Sequence, residues 1–313
     1  MQLYKPRGFG EFFQDTFAFL KQNGKHFFKH FFIVNGLFIL ILMVLGYFFS
    51  KFYREVFFGG IVYGNPDAMD AYINDNIGLF ILFVVVFVVV GLTASVISYA
   101  FVPIYLNLYA KQNGTNFTAT DLIQSYKKNI GNIFIFLICG ILVAIPLMIF
   151  VGLLAFILTI TIVGILALPL IVGGVSLYYQ GTLMEYLERK KSIWESFGYS
   201  WKLMSTKFWA AILCVGLFFL MAYIMQYIVA IIPYILGMVE LYTNIDPSGN
   251  LNPEDVGNTV SIMMLAIFAI SFLVSSMLSL IVQLNIGIVF YSLKEENENI
   301  NTKSDIDLIG SGE

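Results

Sequence analysis

Residues 133–179 form a run of 47 residues without one charged side chain. A membrane helix needs about 20 mostly apolar residues, so this run is too long for one crossing and fits two. They are read as about 132–157 and 160–187, joined by a tight turn near Thr159–Gly164. Four more apolar stretches stand at about 31–50, 77–109, 208–236 and 259–293. Composition agrees. Hydrophobic residues make up 59% and charged residues 12%, against roughly 45–50% and about 25% in an ordinary soluble domain. A mean hydropathy of +0.83 leaves more apolar surface than one core of 313 residues can hide. The sequence therefore predicts an all-α, polytopic transmembrane helical bundle of six spans. Residues 1–294 form a single membrane domain, and 295–313 are polar and acidic enough to read as a disordered tail.

Orientation follows from the cations, because Lys and Arg accumulate on the cytoplasmic side of a membrane. Of the 17 Lys and Arg, 15 fall in the N-terminal segment, the loops after the second and fourth spans, and the C-terminal tail. Only Lys51 and Arg54 remain for the opposite face, whose two loops carry Glu55, Asp67, Asp70, Asp75, Glu240, Asp246, Glu254 and Asp255. Both termini are expected in the cytoplasm. Residues 1–30 are charged and amphipathic, with no small-residue cleavage site of a secretory signal. The preference for Lys over Arg, with heavy use of Phe, Ile and Asn, fits an AT-rich bacterial genome. The expected location is the bacterial cytoplasmic (inner) membrane, in multi-pass form.

An internal repeat organises the spans. Ser125-Tyr126-Lys127 and Ser200-Trp201-Lys202 superpose at an offset of 75 residues, and the same offset carries Cys139 onto Cys214. The N-terminal stretch FAFLKQNGKHFF matches more loosely and brings Lys21 onto Lys127 and Lys202. Three units result, at about 8–111, 117–189 and 191–294, each an amphipathic cytoplasmic helix followed by a pair of spans. Duplication of this kind is common in membrane proteins. Basic helix–span junctions that merely resemble one another are the simpler alternative.

Each surface helix has an apolar face: Phe13, Phe17 and Leu20 in the first, Leu122, Ile123, Tyr126 and Ile130 in the second. In the third, Ser192-Ile-Trp-Glu195 has the form of a capping box and predicts a helix start, with Trp194, Phe197 and Trp201 on one face. Basic helices bearing aromatic rings suit the headgroup layer, where each lysine gains about 1 kcal/mol from anionic lipid. The residues read as binding lipid or a partner are Lys21, Lys25, Lys127, Lys128, Trp194, Trp201 and Lys202.

Chemistry is harder to find. No Asp, Glu, Lys, Arg or His stands near the middle of any span, where ion-coupled carriers usually place one. His26 and His30, the two histidines, share a helix face but have no acidic or thiol neighbour, and two neutral ligands rarely hold a metal. Cys139 and Cys214 read as packing residues. A net charge of −3 speaks against nucleic acid as a partner. The expectation is a protein without catalytic residues, metal or cofactor. Polar residues such as Ser271, Ser275 and Ser279 read as interhelical glue, and Pro103, Pro146, Pro169 and Pro233 as kinks within spans. Gln180, Gln226 and Asn285 are the residues that would line a substrate path if one exists.

The stretches FGEFFQDTFAFLKQN, DLIQSYKKN and WESFGYSWKLMST each precede a span. In them the chain resembles a group of bacterial six-span integral membrane proteins, Bacteroidota-like in the N-terminal LYKPRGFGEFFQDTF. It is related in pattern to the membrane domain fused to some glycerophosphodiester phosphodiesterases. The resemblance implies membrane embedding. The phosphodiesterase barrel and its metal-ligand acids are not in this sequence, so no activity is carried over. Two functions remain open: an accessory or scaffold subunit that binds membrane lipid, a protein partner or a second copy of itself, and a transporter of a neutral or amphipathic small molecule or lipid.

Overall fold

The computed structural model describes residues 1–53, 68–243 and 253–301. Among them the chain is all helical, in seven helices: α1 (Phe9–Tyr53), α2 (Ala68–Lys111), α3 (Ala119–Thr159), α4 (Ile162–Leu187), α5 (Ile193–Thr206), α6 (Phe208–Thr243) and α7 (Pro253–Glu298). All but α5 are long and apolar enough to cross a bilayer, which makes this a multi-pass membrane protein. Arg54, Glu55, Asp67, Asp246 and the tail beyond residue 301 lie outside the described residues, and of Asp70, Asp75, Glu254 and Asp255 only the helical backbone is described.

The helix ends follow local chemistry. Two residues, Ile160 and Thr161, separate α3 from α4; the Thr161 hydroxyl accepts from the Gly164 amide at 2.9 Å. A Cβ at Gly164 would sit 2.0 Å from the Leu158 carbonyl oxygen, so only glycine closes this turn. Capping boxes start α3 (Thr118 with Asp121) and α5 (Ser192 with Glu195), each satisfying amides that the first turn leaves open.

The surface helices differ from expectation in their ends. The first two are continuous with their spans, in α1 and α3, which run helically through Asn23-Gly24 and Gly131-Asn132. Only the third is separate. There Ser205 and Thr206 donate to the carbonyls of Trp201 and Lys202, and Lys207 leaves helical geometry at φ −130°, ψ 53°. The helices continue through all four span prolines; the non-helical backbone inside α2 is at Asn76 instead. Helix α7 also runs four residues into the segment read as a disordered tail, and Glu295 there is buried.

Residues gather into two compact units. Unit 1 holds Met1–Val34, Ser98–Ala222 and Ser279–Glu313. Its core takes a stripe of α1 at helical spacing, Phe12, Thr16, Phe19, Phe27 and Phe31, together with Phe101 and Tyr105 of α2. Every residue of α7 from Leu284 to Glu295 is buried, as befits a helix surrounded on all sides. The expected apolar face of Phe13, Phe17 and Leu20 is instead partly exposed, because the core stripe lies one position earlier. Unit 2 holds Asn35–Ile97 and Tyr223–Leu278. It packs by close fit, with Gly46 against the Phe268 ring, and by a few hydrogen bonds such as Ser50 to the Ser261 carbonyl at 2.9 Å.

Candidate functional site

The residues read as a lipid or partner surface all belong to unit 1. Lys21 and Lys25 of α1, Lys127 and Lys128 of α3, and Lys202 of α5 are exposed. Among the described residues none of the five has a carboxylate within ion-pair distance. Six other unit 1 cations contrast with them: Lys5, Arg7, Lys190, Lys191, Lys207 and Lys294 are paired with acids, while Lys29, Lys111 and Arg189 are exposed like the five.

Helix α5 turns an apolar stripe toward protein. Ile193, Phe197, Leu203 and Met204 are buried, and the Phe197 ring lies 5.7 Å from Tyr178 of α4 and 6.2 Å from Phe136 of α3. Trp194 and Trp201, each 57% exposed, flank that stripe, and the Trp194 ring lies 6.1 Å from Phe197. Trp194, Phe197 and Trp201 share a face as expected, but it runs along the edge of the packed stripe, with Phe197 buried and the two tryptophans exposed. In α3, Leu122 goes inward while Ile130 is exposed.

The residues of the expected substrate path are hydrogen-bonded to protein. Gln180 donates to the Gln283 carbonyl at 2.8 Å. Asn285 donates to the Thr16 hydroxyl at 2.9 Å and lies beside the Cys214 thiol, fully buried. Both belong to unit 1. Gln226 belongs to unit 2, where it donates to the Ser271 carbonyl at 3.1 Å.

The histidines form a local cluster. His26 Nε2 donates to the Phe117 carbonyl at 3.2 Å, so its Nδ1 accepts the Tyr105 hydroxyl at 2.8 Å. His30 donates to the His26 carbonyl at 2.7 Å. Cys139 and Cys214 are free thiols. Among the described residues no three His, Cys, Asp or Glu side chains come together as a metal site.

Sequence reading missed an ionic knot. Lys294 of α7 is fully buried between Glu185 at 2.6 Å and Glu188 at 2.8 Å, both at the end of α4. Lys191 pairs with the other oxygen of Glu185 and lies 3.7 Å over the Tyr199 ring, whose hydroxyl donates to Glu298. The N-terminal segment joins through Tyr4, whose ring meets Tyr291 edge-on at 4.9 Å. Burial, and then the negative charge of Glu188, raises the Tyr4 phenol above its ordinary pKa; burial and Glu298 do the same for Tyr199. Arg7, also buried, donates to Asp15 and to the carbonyls of Gln2, Leu3 and Lys5. Lys207 links the α5–α6 junction to the Arg7 carbonyl and to Glu296. The available signal was Glu185-x-x-Glu188, two acids on one helix face just after a charge-free span. Lys294, counted as one more cytoplasmic cation, follows another.

No family model, no curated protein and no solved structure matches the chain.

Proposed function

We propose that this chain is an accessory or scaffold protein of the bacterial inner membrane, with both termini cytoplasmic, that binds anionic lipid through its basic surface and performs no catalysis itself. The three-repeat organisation belongs to this reading, since it brings Lys21, Lys127 and Lys202 to equivalent places. The observation that carries it is the division among the lysines. Six cations of unit 1 are paired with acids; Lys21, Lys25, Lys127, Lys128 and Lys202 are exposed and have no carboxylate within ion-pair distance among the described residues. In a membrane protein the nearest uncommitted anions are lipid phosphates, at about 1 kcal/mol per lysine. A cytoplasmic protein partner with an acidic face is the other occupant of the same surface. The transporter reading has less in its favour, because Gln180 and Asn285 are buried and committed to protein.

The test is the lipid that travels with the protein. Purified in mild detergent from membranes of mixed lipid, the chain should carry anionic phospholipid in excess over its membrane fraction. Replacing Lys21, Lys25, Lys127 and Lys128 with Gln should remove most of that excess. Lipid in membrane proportion would reject the reading. Orientation is tested separately, in a Cys139→Ala, Cys214→Ala background. Cysteines placed at Gly114 and Ser192 should react with impermeant reagent only from the cytoplasm, and one at Asn65, outside the described residues, only from the other face.

A further inference from the structure

Within unit 1, helices α3, α4, α5 and α6 enclose an apolar groove of about 710 Å³. Pockets for small ligands run to about 300–1,000 Å³. We propose that it seats one acyl chain of an anionic phospholipid, with the phosphate beside Trp201 and Lys202. This rests on the lipid-binding reading above and gives it a defined site.

Four observations select this occupant. The first is the wall. Leu147, Val151 and Leu154 of α3 face Leu170 and Ile171 of α4, and among the described residues no charged side chain lines the groove. A polar solute would find almost nothing to bond.

The second is length. Along α4 the lining runs from Ala167 to Tyr178, about 16 Å at 1.5 Å per residue, and one leaflet of the hydrocarbon core is about 15 Å thick. A partner helix about 10 Å across would fill roughly 1,250 Å³ over that length, well above the volume available.

The third is the aromatic end. Tyr178, Trp201 and Trp209 gather where α5 meets α6, with the Tyr178 and Trp201 rings 6.4 Å apart. Indole and phenol rings favour the membrane–water interface, so this end marks the headgroup level. Lys202, which follows Trp201 in the chain, is exposed and has no carboxylate partner among the described residues, whereas Lys207 is held by Glu296 at 2.8 Å.

The fourth is rigidity. Helices α4 and α6 touch backbone to backbone: a Cβ on Gly173 would lie 2.7 Å from the Gly216 amide nitrogen. The groove is therefore preformed, and occupancy requires no rearrangement of these helices.

Quenching of tryptophan by brominated acyl chains tests the proposal. A Trp194→Phe variant leaves Trp201 and Trp209 as the reporters, since the chain has three tryptophans. It is placed in phosphatidylcholine nanodiscs with a small, equal fraction of either brominated phosphatidylglycerol or brominated phosphatidylcholine. Phosphatidylglycerol should quench with up to about fivefold higher apparent affinity, the equivalent of one lysine near the surface. Ala167→Phe and Val175→Phe fill the groove and should abolish the excess. Lys202→Gln, on the exposed side of α5, should leave quenching by both lipids but bring their ratio to about one. Equal quenching by the two lipids in the unfilled groove overturns the proposal. So does an excess that survives in folded, groove-filled variants. If that happens while the anionic lipid enrichment still depends on Lys21, Lys25, Lys127 and Lys128, only the groove is rejected. If the enrichment is also absent, the wider reading falls with it.

Discussion

Unit 1 and unit 2 share four helices, α1, α2, α6 and α7, yet unit 1 adds buried ion pairs to its packing. Unit 1 buries Arg7, Glu185, Lys294 and Asn285 and satisfies each with a protein partner. Unit 2 relies on fit, as where Gly46 admits the Phe268 ring or Gly237 admits Met263. Dispersion between helices has to compete with lipid tails that are equally apolar, so packing alone gives a modest margin. Ion pairs away from water are the opposite case: breaking one by removing a partner is expensive, although an apolar replacement of the whole pair can be neutral. The contrast means that one chain can hold a specifically wired unit and a unit that depends on shape.

The largest expected effect breaks the wiring. Lys294→Met leaves Glu185 and Glu188 facing each other without their shared cation, and should cost about 3–5 kcal/mol. The measure is the folded fraction in a detergent melt. Adding Glu185→Gln to Lys294→Met should recover part of that loss, because it removes one of the stranded charges. A Lys294→Met protein with an unchanged melt would mean that the knot does not hold unit 1 together.

A smaller effect sharpens the other side. Gly46→Leu in unit 2 puts its Cβ about where the Phe268 ring lies, 2.1 Å from Cε1, and overpacking of this kind costs about 1–3 kcal/mol. Phe268→Ala in the same protein should restore much of it by making room. Rescue by volume in unit 2 and by charge in unit 1 is the signature of the contrast.

The sequence exposes these two kinds of order unequally. Span positions are legible because bilayer thickness imposes a length and charge is excluded over it; the charge-free run at 133–179 yields the α3–α4 pair, its turn and Gly164. Capping at Ser192 is legible because it is local, four residues in a row. The knot is not, since Tyr4, Glu185, Tyr199 and Lys294 are far apart in the chain and each looks like an ordinary interfacial residue alone. The core stripe of α1 was misplaced by one position for a related reason: with phenylalanines at 12, 13, 17 and 19, amphipathic periodicity admits two faces, and only the neighbouring helices choose between them. For the basic surface, sequence names the lysines but does not say which will find an acid. Lys191 and Lys202 look equivalent in the α4–α5 region, yet one is paired and the other has no acid partner among the described residues.

The mildest test compares two caps in unit 1. Ser192→Ala and Thr118→Ala each remove a side-chain acceptor from a helix start, a loss of about 1 kcal/mol in typical helices. The consequences should differ, because α5 has 14 residues and α3 has 41. Isolated helices shorter than about 12–15 residues are marginal in water, so fraying the first turn of α5 uses up much of what it has beyond packing. Its buried stripe of Ile193 and Phe197 begins at that turn. Hydrogen exchange should therefore rise along the first half of α5 in Ser192→Ala, and only at the first turn of α3 in Thr118→Ala. The exposed Trp194 sits within the affected turn of α5, so its fluorescence reports the same loosening. If exchange in Ser192→Ala stays confined to one turn, α5 is held by Phe197 and its neighbours rather than by its cap. Local order in unit 1 would then rest on packing there as well, and the contrast with unit 2 would narrow to the ionic knot.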